Sequence, residues 1–155
     1  MIQRVQTIYL IIIKVFVLLF LFAPVGEVSS NSSFASFSIM KINTSDSFEF
    51  QIQDSWHRYT VIALAAMIMV LTLIIVFSYK NRRKQIKFNQ MNLLLHILMI
   101  SMTFFYVDFI KAQTGMVFNF GLAIAFPLVS IILILIANRA IRKDEKLVRS
   151  ADRLR

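Results

Sequence analysis

The sequence predicts an all-α membrane protein, a four-helix transmembrane bundle with one small extracytoplasmic loop, and three observations predict it. Hydrophobic residues make up 58% of the 155 and the mean hydropathy is +0.71, too apolar for a globule with a wetted surface. Four runs approach the roughly 20 apolar residues that cross about 30 Å of hydrocarbon. With 15 Phe against 3 Gly and 2 Pro, these runs lack the turn-separated alternation of about ten residues that a membrane β-barrel needs. Helices are the other way to satisfy every backbone group in lipid.

The chain is read as one domain, residues 1–155, with spans at 5–22, 59–79, 91–110 and 116–137. The first span carries Lys14 at its centre and Pro24 just beyond its end. An alternative reading makes it a cleaved signal peptide, with Arg4 as the basic start and Ser29 and Ser30 near the cleavage site; the apolar run is longer than the usual h-region of about 7–15 residues. The loop 25–58 is Ser-rich and then alternates. Phe37 and Ile39, with Phe48, Phe50 and Ile52, sit at period two around Asn43, Thr44, Ser45 and Asp46, which predicts a β-hairpin with one apolar face. An isolated hairpin is marginal, so it is expected to lie against the membrane surface or a partner. The short third connection makes spans three and four antiparallel neighbours, and Pro127 is expected to kink the fourth.

Charge sets the orientation. Lys80, Arg82, Arg83, Lys84 and Lys87 fill the loop 80–90 with no acid, and the tail 138–155 holds seven basic residues against Asp144, Glu145 and Asp152, a net +4. The first loop carries only Lys41 and Arg58, and the third only Lys111. By the positive-inside rule the loop 80–90 and both termini are cytoplasmic. Trp56, Tyr59, Tyr79 and Tyr106 stand near span ends, where aromatic rings anchor at the interface. The overall charge of +9 is thus explained by topology and anionic headgroups, and no nucleic-acid partner is expected.

Three strings carry a family resemblance: MIQRVQTIYL at the start, YKNRRKQIKFNQMN at 79–92, and NRAIRKDEKLVRSADRLR at 138–155. Together they resemble a Bacteroidetes integral membrane family known as domain of unknown function 4293. The resemblance covers the whole chain and implies a four-span protein of a bacterial inner (cytoplasmic) membrane. It implies no catalytic or ligand residue, and Lys14 departs from the apolar first span expected of such proteins.

Four residues form a candidate intramembrane polar site: Lys14, Asn92, His96 and Asn119. A charge at mid-membrane costs about 2.5–3.5 kcal/mol on insertion scales, which makes Lys14 a functional candidate; the plainer reading is a stem reaching toward the headgroups. In span three Asn89, Asn92, His96 and Thr103 share one stripe, and in span four Asn119, Ala123, Pro127 and Ser130 nearly do; Gly121 and Ala125 add a small-xxx-small step. Such stripes hydrogen-bond helices together, and otherwise line a pathway. A second candidate, a cytoplasmic interaction face, comprises Arg82, Arg83, Lys84, Arg142, Lys143, Leu147, Arg149 and Arg153. The tail residues recur at helical steps with a thin apolar stripe, suited to a membrane surface or a partner's groove.

The absence of Cys removes disulfides, thiolate chemistry and Cys-ligated metals. His57 and His96, the only imidazoles, fall toward opposite ends of the bundle and cannot share a metal, so no cofactor or metal is expected. No phosphate loop, nucleophile elbow or zincin motif occurs, and no enzymatic activity is expected. The expected function is an inner-membrane accessory or scaffold protein whose basic face meets anionic lipid headgroups of the bilayer or an unidentified membrane or cytoplasmic protein partner. The alternative is a small transporter or channel subunit using the intramembrane polar residues.

Overall fold

The computed structural model describes residues 3–30, 33–44, 55–78 and 81–153. Four helices dominate it: α1 (Gln3–Phe22), α2 (Trp56–Phe77), α3 (Arg82–Thr114) and α4 (Ala125–Arg153). Three helical segments are long and apolar enough to cross a membrane, Trp56–Phe77, Arg82–Thr114 and Leu122–Lys143; Thr7–Phe22 is a shorter apolar stretch of α1. α1 packs chiefly on α4 and then α2, while α3 lies between α2 and α4.

The helices bury one face each at steps of three and four. Leu10, Ile13, Val17 and Phe20 of α1 meet Val61, Ala65, Ile68 and Ile75 of α2 and Ile134 of α4 in the interior. Their opposite faces are just as apolar: Ile11, Val70, Phe105 and Ile132 are exposed. A bundle facing water would place polar residues there, so these faces suit a lipid environment, as in a membrane protein.

The helix ends follow local chemistry. Asn81 caps α3 by accepting a hydrogen bond from the Lys84 amide at 3.3 Å, which satisfies one of the free N–H groups of the first turn. Gly115 ends it with φ 64°, a left-handed conformation that glycine adopts without a Cβ penalty, and its amide donates to the Lys111 carbonyl at 2.9 Å. Pro127 lies in the first turn of α4, where its missing N–H is not needed; the expected kink is not what this position produces.

A four-stranded antiparallel sheet of order β3-β2-β1-β4 caps the bundle end where α1 finishes and α2 begins. Its strands are β1 (Pro24–Ser30), β2 (Ser33–Ser38), β3 (Ile42–Thr44) and β4 (Phe118–Phe120). The sheet is small and antiparallel, but its pairing differs from the predicted hairpin. Asn43 and Thr44 are not a turn: they pair with Ser36 and Ala35, and the chain reverses at 39–41. Phe48, Phe50 and Ile52 lie outside the described residues. Val25, Val28, Ala35, Phe37 and Ile39 form the buried face, in one cluster with Phe20, Tyr106, Ile110 and Phe118.

The fourth strand corrects the start of the last span. Residues 118–120 enter as β4, paired with Gly26, Glu27 and Val28, followed by a short 3-10 turn, Leu122–Ile124, before α4 begins at Ala125. Two glycines permit this crossing. A Cβ on Gly26 would collide with the Phe118 ring and the Asn119 carbonyl, and one on Gly121 with the Pro24 carbonyl. The Gly121 amide donates to the Val25 carbonyl at 2.7 Å, so Gly121 serves backbone approach and is not a step in a helix–helix stripe.

Candidate functional site

The polar residues of the interior gather on α3. Gln85, Asn89, Asn92, His96 and Thr103 recur at steps of three, four and seven, placing them on one face, and all are buried, with Asn89, Asn92 and His96 at 0% exposure. Thr72 of α2 and Ser130 and Asn138 of α4 are buried polar residues on the flanking helices.

Hydrogen bonds tie α3 to both neighbours. Gln85 Nε2 donates to the Ile75 carbonyl of α2 at 3.3 Å, and Asn89 Nδ2 to the Ile134 carbonyl of α4 at 3.3 Å. Asn92 Nδ2 donates to Thr72 Oγ1 at 3.1 Å, while that hydroxyl gives its own proton to the Ile68 carbonyl at 2.7 Å. The chain of donors fixes the amide orientation: Thr72 has one proton, already committed, so it can only accept from Asn92. His96 Nδ1 lies 2.9 Å from the Asn92 carbonyl; a carbonyl only accepts, so Nδ1 carries a proton, while Nε2 is buried with no hydrogen-bond partner among the described residues. Ser130 and Thr103 bond back to carbonyls of their own helices, Phe126 and Met99, at 2.9 and 2.8 Å.

The predicted intramembrane constellation is therefore half assembled. Asn92 and His96 adjoin. Asn119 is exposed in β4, opposite Glu27, because the segment that was expected to be helical is strand. Lys14 is half-buried on α1 beside the Leu10, Ile13 and Val17 face, the helix that packs mainly on α4. It makes no hydrogen bond or ion pair among the described residues. Tyr106 is 2% exposed; it packs into the core under the sheet and is no interfacial anchor. Trp56 and Tyr59 are exposed, and Tyr79 lies outside the described residues. His57 stacks on Trp56 at 4.0 Å and on Phe109 at 5.6 Å, at the end of the bundle remote from Asn89. Asp108 is exposed, 3.6 Å from Lys111. Among the described residues no group of three or more metal-ligating side chains occurs.

The basic face sits on helix rather than loop. The segment expected as the connection 80–90 is helical from Arg82, and α4 continues unbroken through the tail to Arg153. Arg83 Nε pairs with Glu145 at 3.6 Å, joining the start of α3 to the far part of α4. Lys84, Lys87, Arg142 and Lys143 are exposed, and Arg82 is half-buried with a partner of its own. Leu147, Arg149 and Arg153 lie on the last turns of α4, their side chains outside the described residues.

Sequence reasoning missed Thr72, Gln85 and Asn138. Gln85 had a signal, since it stands seven residues before Asn92 on the same face; a lone Thr inside an apolar run has none.

The family model described as Domain of unknown function (DUF4293) matches residues 2–154. No curated protein matches the chain.

Proposed function

The chain belongs to the family described as Domain of unknown function (DUF4293), and on that premise we propose that it is a non-enzymatic accessory or scaffold protein of the bacterial inner membrane. In this reading α1 is the first of four spans, the sheet is extracytoplasmic, and both termini and the basic ends of α3 and α4 are cytoplasmic. There they meet anionic headgroups or a protein partner. The steep contrast in Lys and Arg between the two ends of the molecule supports that orientation.

One observation carries the accessory reading over a transport path. Gln85, Asn89 and Asn92 of the α3 row donate to α2 and α4, and Asn89, Asn92 and His96 are each 0% exposed. A conduction path needs such groups to face one open cavity. An open groove among the described residues is instead lined by Met67, Val70, Ile74, Met91 and other apolar residues. The polar row thus supports a structural role, holding helices together in a solvent that offers no hydrogen bonds.

Fusions to a reporter active only outside the cytoplasm test the topology. Activity is expected at Thr44 and not at Arg83 or Arg155. The reverse pattern, or a mature N-terminus near Asn31, overturns the four-span reading.

A further inference from the structure

Between α2 and α3 runs an open groove of about 370 Å³, lined by Met67, Val70, Leu71, Ile74, Met91 and Leu95 together with Ala66. Its volume lies in the range of about 300–1,000 Å³ usual for small-molecule sites. Its lining is wholly apolar, and two of the side chains are methionines, which adapt to flexible guests.

What distinguishes this groove is its cytoplasmic mouth. On α3, Lys84, Lys87, Met91 and Leu95 follow one another at steps of three, four and four, so they stand in one row. The rise of about 1.5 Å per residue puts Lys87 about 6 Å beyond Met91 toward the cytoplasm. Lys84 and Lys87 are exposed and make no ion pair among the described residues. Arg83, by contrast, is engaged with Glu145 of α4, on the other side of α3. No acid occurs between residues 80 and 90, and Glu145 is engaged with Arg83, so an anion at this mouth meets two cations and no acid from α3's own first turns.

We propose that this groove binds one anionic phospholipid, its acyl chain lying against Met67, Val70, Ile74 and Met91 and its phosphate held between Lys84 and Lys87. The proposal deepens the anionic-lipid reading above and rests on the four-span orientation, which places the groove in hydrocarbon and its mouth at the headgroups. A second copy of the chain is the poorer occupant. Seated symmetrically, it would bring its own Lys84 and Lys87 against the first pair with no acid to relieve them.

Native mass spectrometry of the full chain, released from membranes with phosphatidylglycerol and phosphatidylcholine of identical acyl chains, tests this. The wild type is expected to retain phosphatidylglycerol roughly thirtyfold better, as two lysines beside a headgroup of net negative charge would give. Lys84→Gln with Lys87→Gln, both exposed and safe for folding, removes the preference and leaves phosphatidylcholine retention unchanged. Ala66→Phe, which fills the groove, lowers retention of both lipids, with a thermal melt reporting that the bundle stays folded. Arg142→Gln with Lys143→Gln leaves the preference intact. If that last pair lowers the preference as much as the Lys84 and Lys87 pair, attraction is spread over the basic face and the groove site is dropped while the broader reading stands. Absence of any preference in the wild type overturns both. A lipid-free species of doubled mass that Ala66→Phe abolishes assigns the groove to a second copy and overturns the proposal.

Discussion

At the scale of single residues, the Thr72–Asn92 contact is the clearest energetic statement the interior makes. Its geometry is forced: Thr72 gives its proton to the Ile68 carbonyl and accepts from Asn92. Truncating the acceptor leaves a fully buried amide short of a partner, which costs about 1–3 kcal/mol in general. Between membrane helices the same bond is worth less, about 0.6 kcal/mol on average and at most about 1.7, because helices apart in lipid find other partners. The second figure governs here. Thr72→Val is expected to destabilise by about 1 kcal/mol, and a double-mutant cycle with Asn92→Leu to show coupling near 0.6 kcal/mol in reversible unfolding from detergent micelles. Additive single effects would deny the bond. This residue pair also shows the limits of the sequence. Asn89, Asn92, His96 and Thr103 announce themselves by spacing on α3, but the partners of Asn89 and Asn92 are the backbone carbonyl of Ile134 and one hydroxyl, those of His96 and Thr103 are carbonyls of their own helix, and carbonyls carry no sequence signal.

At the scale of elements, hydropathy located the helices and mistook one strand. Phe118, Asn119 and Phe120 lie inside an apolar run, and a short apolar segment fits a strand and a helix alike. What decides for strand is non-local: β4 pairs with β1, ninety residues distant along the chain, and it can do so because Gly26 and Gly121 leave room for close backbone approach. The same non-locality hid the sheet order, while the antiparallel, one-sided character of the loop was legible from alternation. Gly26→Val is therefore expected to undock β4 from β1, since the added side chain would occupy the place of the Phe118 ring and the Asn119 carbonyl. Limited proteolysis should find new cleavage at 118–121 with the helices still inserted. Unchanged protection there would mean that the sheet does not depend on this approach. Gly115 provides the contrast: nothing crowds it, and its cost on substitution comes only from φ 64°, so Gly115→Ala should lose about 1 kcal/mol without altering the cleavage pattern.

At the scale of the whole molecule, the helix lengths explain why the two ends differ. At about 1.5 Å per residue, the 33 residues of α3 and the 29 of α4 run to about 50 and 44 Å, well beyond the roughly 30 Å of hydrocarbon. Their excess lies at the end opposite the sheet, where Arg83 meets Glu145 and the basic residues collect. The helical steps of the tail are legible in the sequence, whereas the segment 80–90 reads as loop, because charge and low hydropathy mark departure from lipid and not departure from helix. One end is closed by a sheet with an apolar face, and the other projects two charged helices. Deleting Lys143–Arg155 separates the roles this projection could have. Topology is set by Lys and Arg close to the span ends, and Arg82, Arg83, Lys84, Lys87, Arg139 and Arg142 all remain, so orientation should not change. The lost Arg83–Glu145 pair has its arginine largely exposed and is worth about 0–1 kcal/mol, so abundance should fall little. What should change is the set of proteins recovered with the chain from native membranes, because the last turns of α4 carry the apolar stripe suited to a partner's groove. Inversion of the reporter pattern in the truncated chain would instead assign the tail to topology, and an unchanged set of recovered proteins would remove it as a docking element.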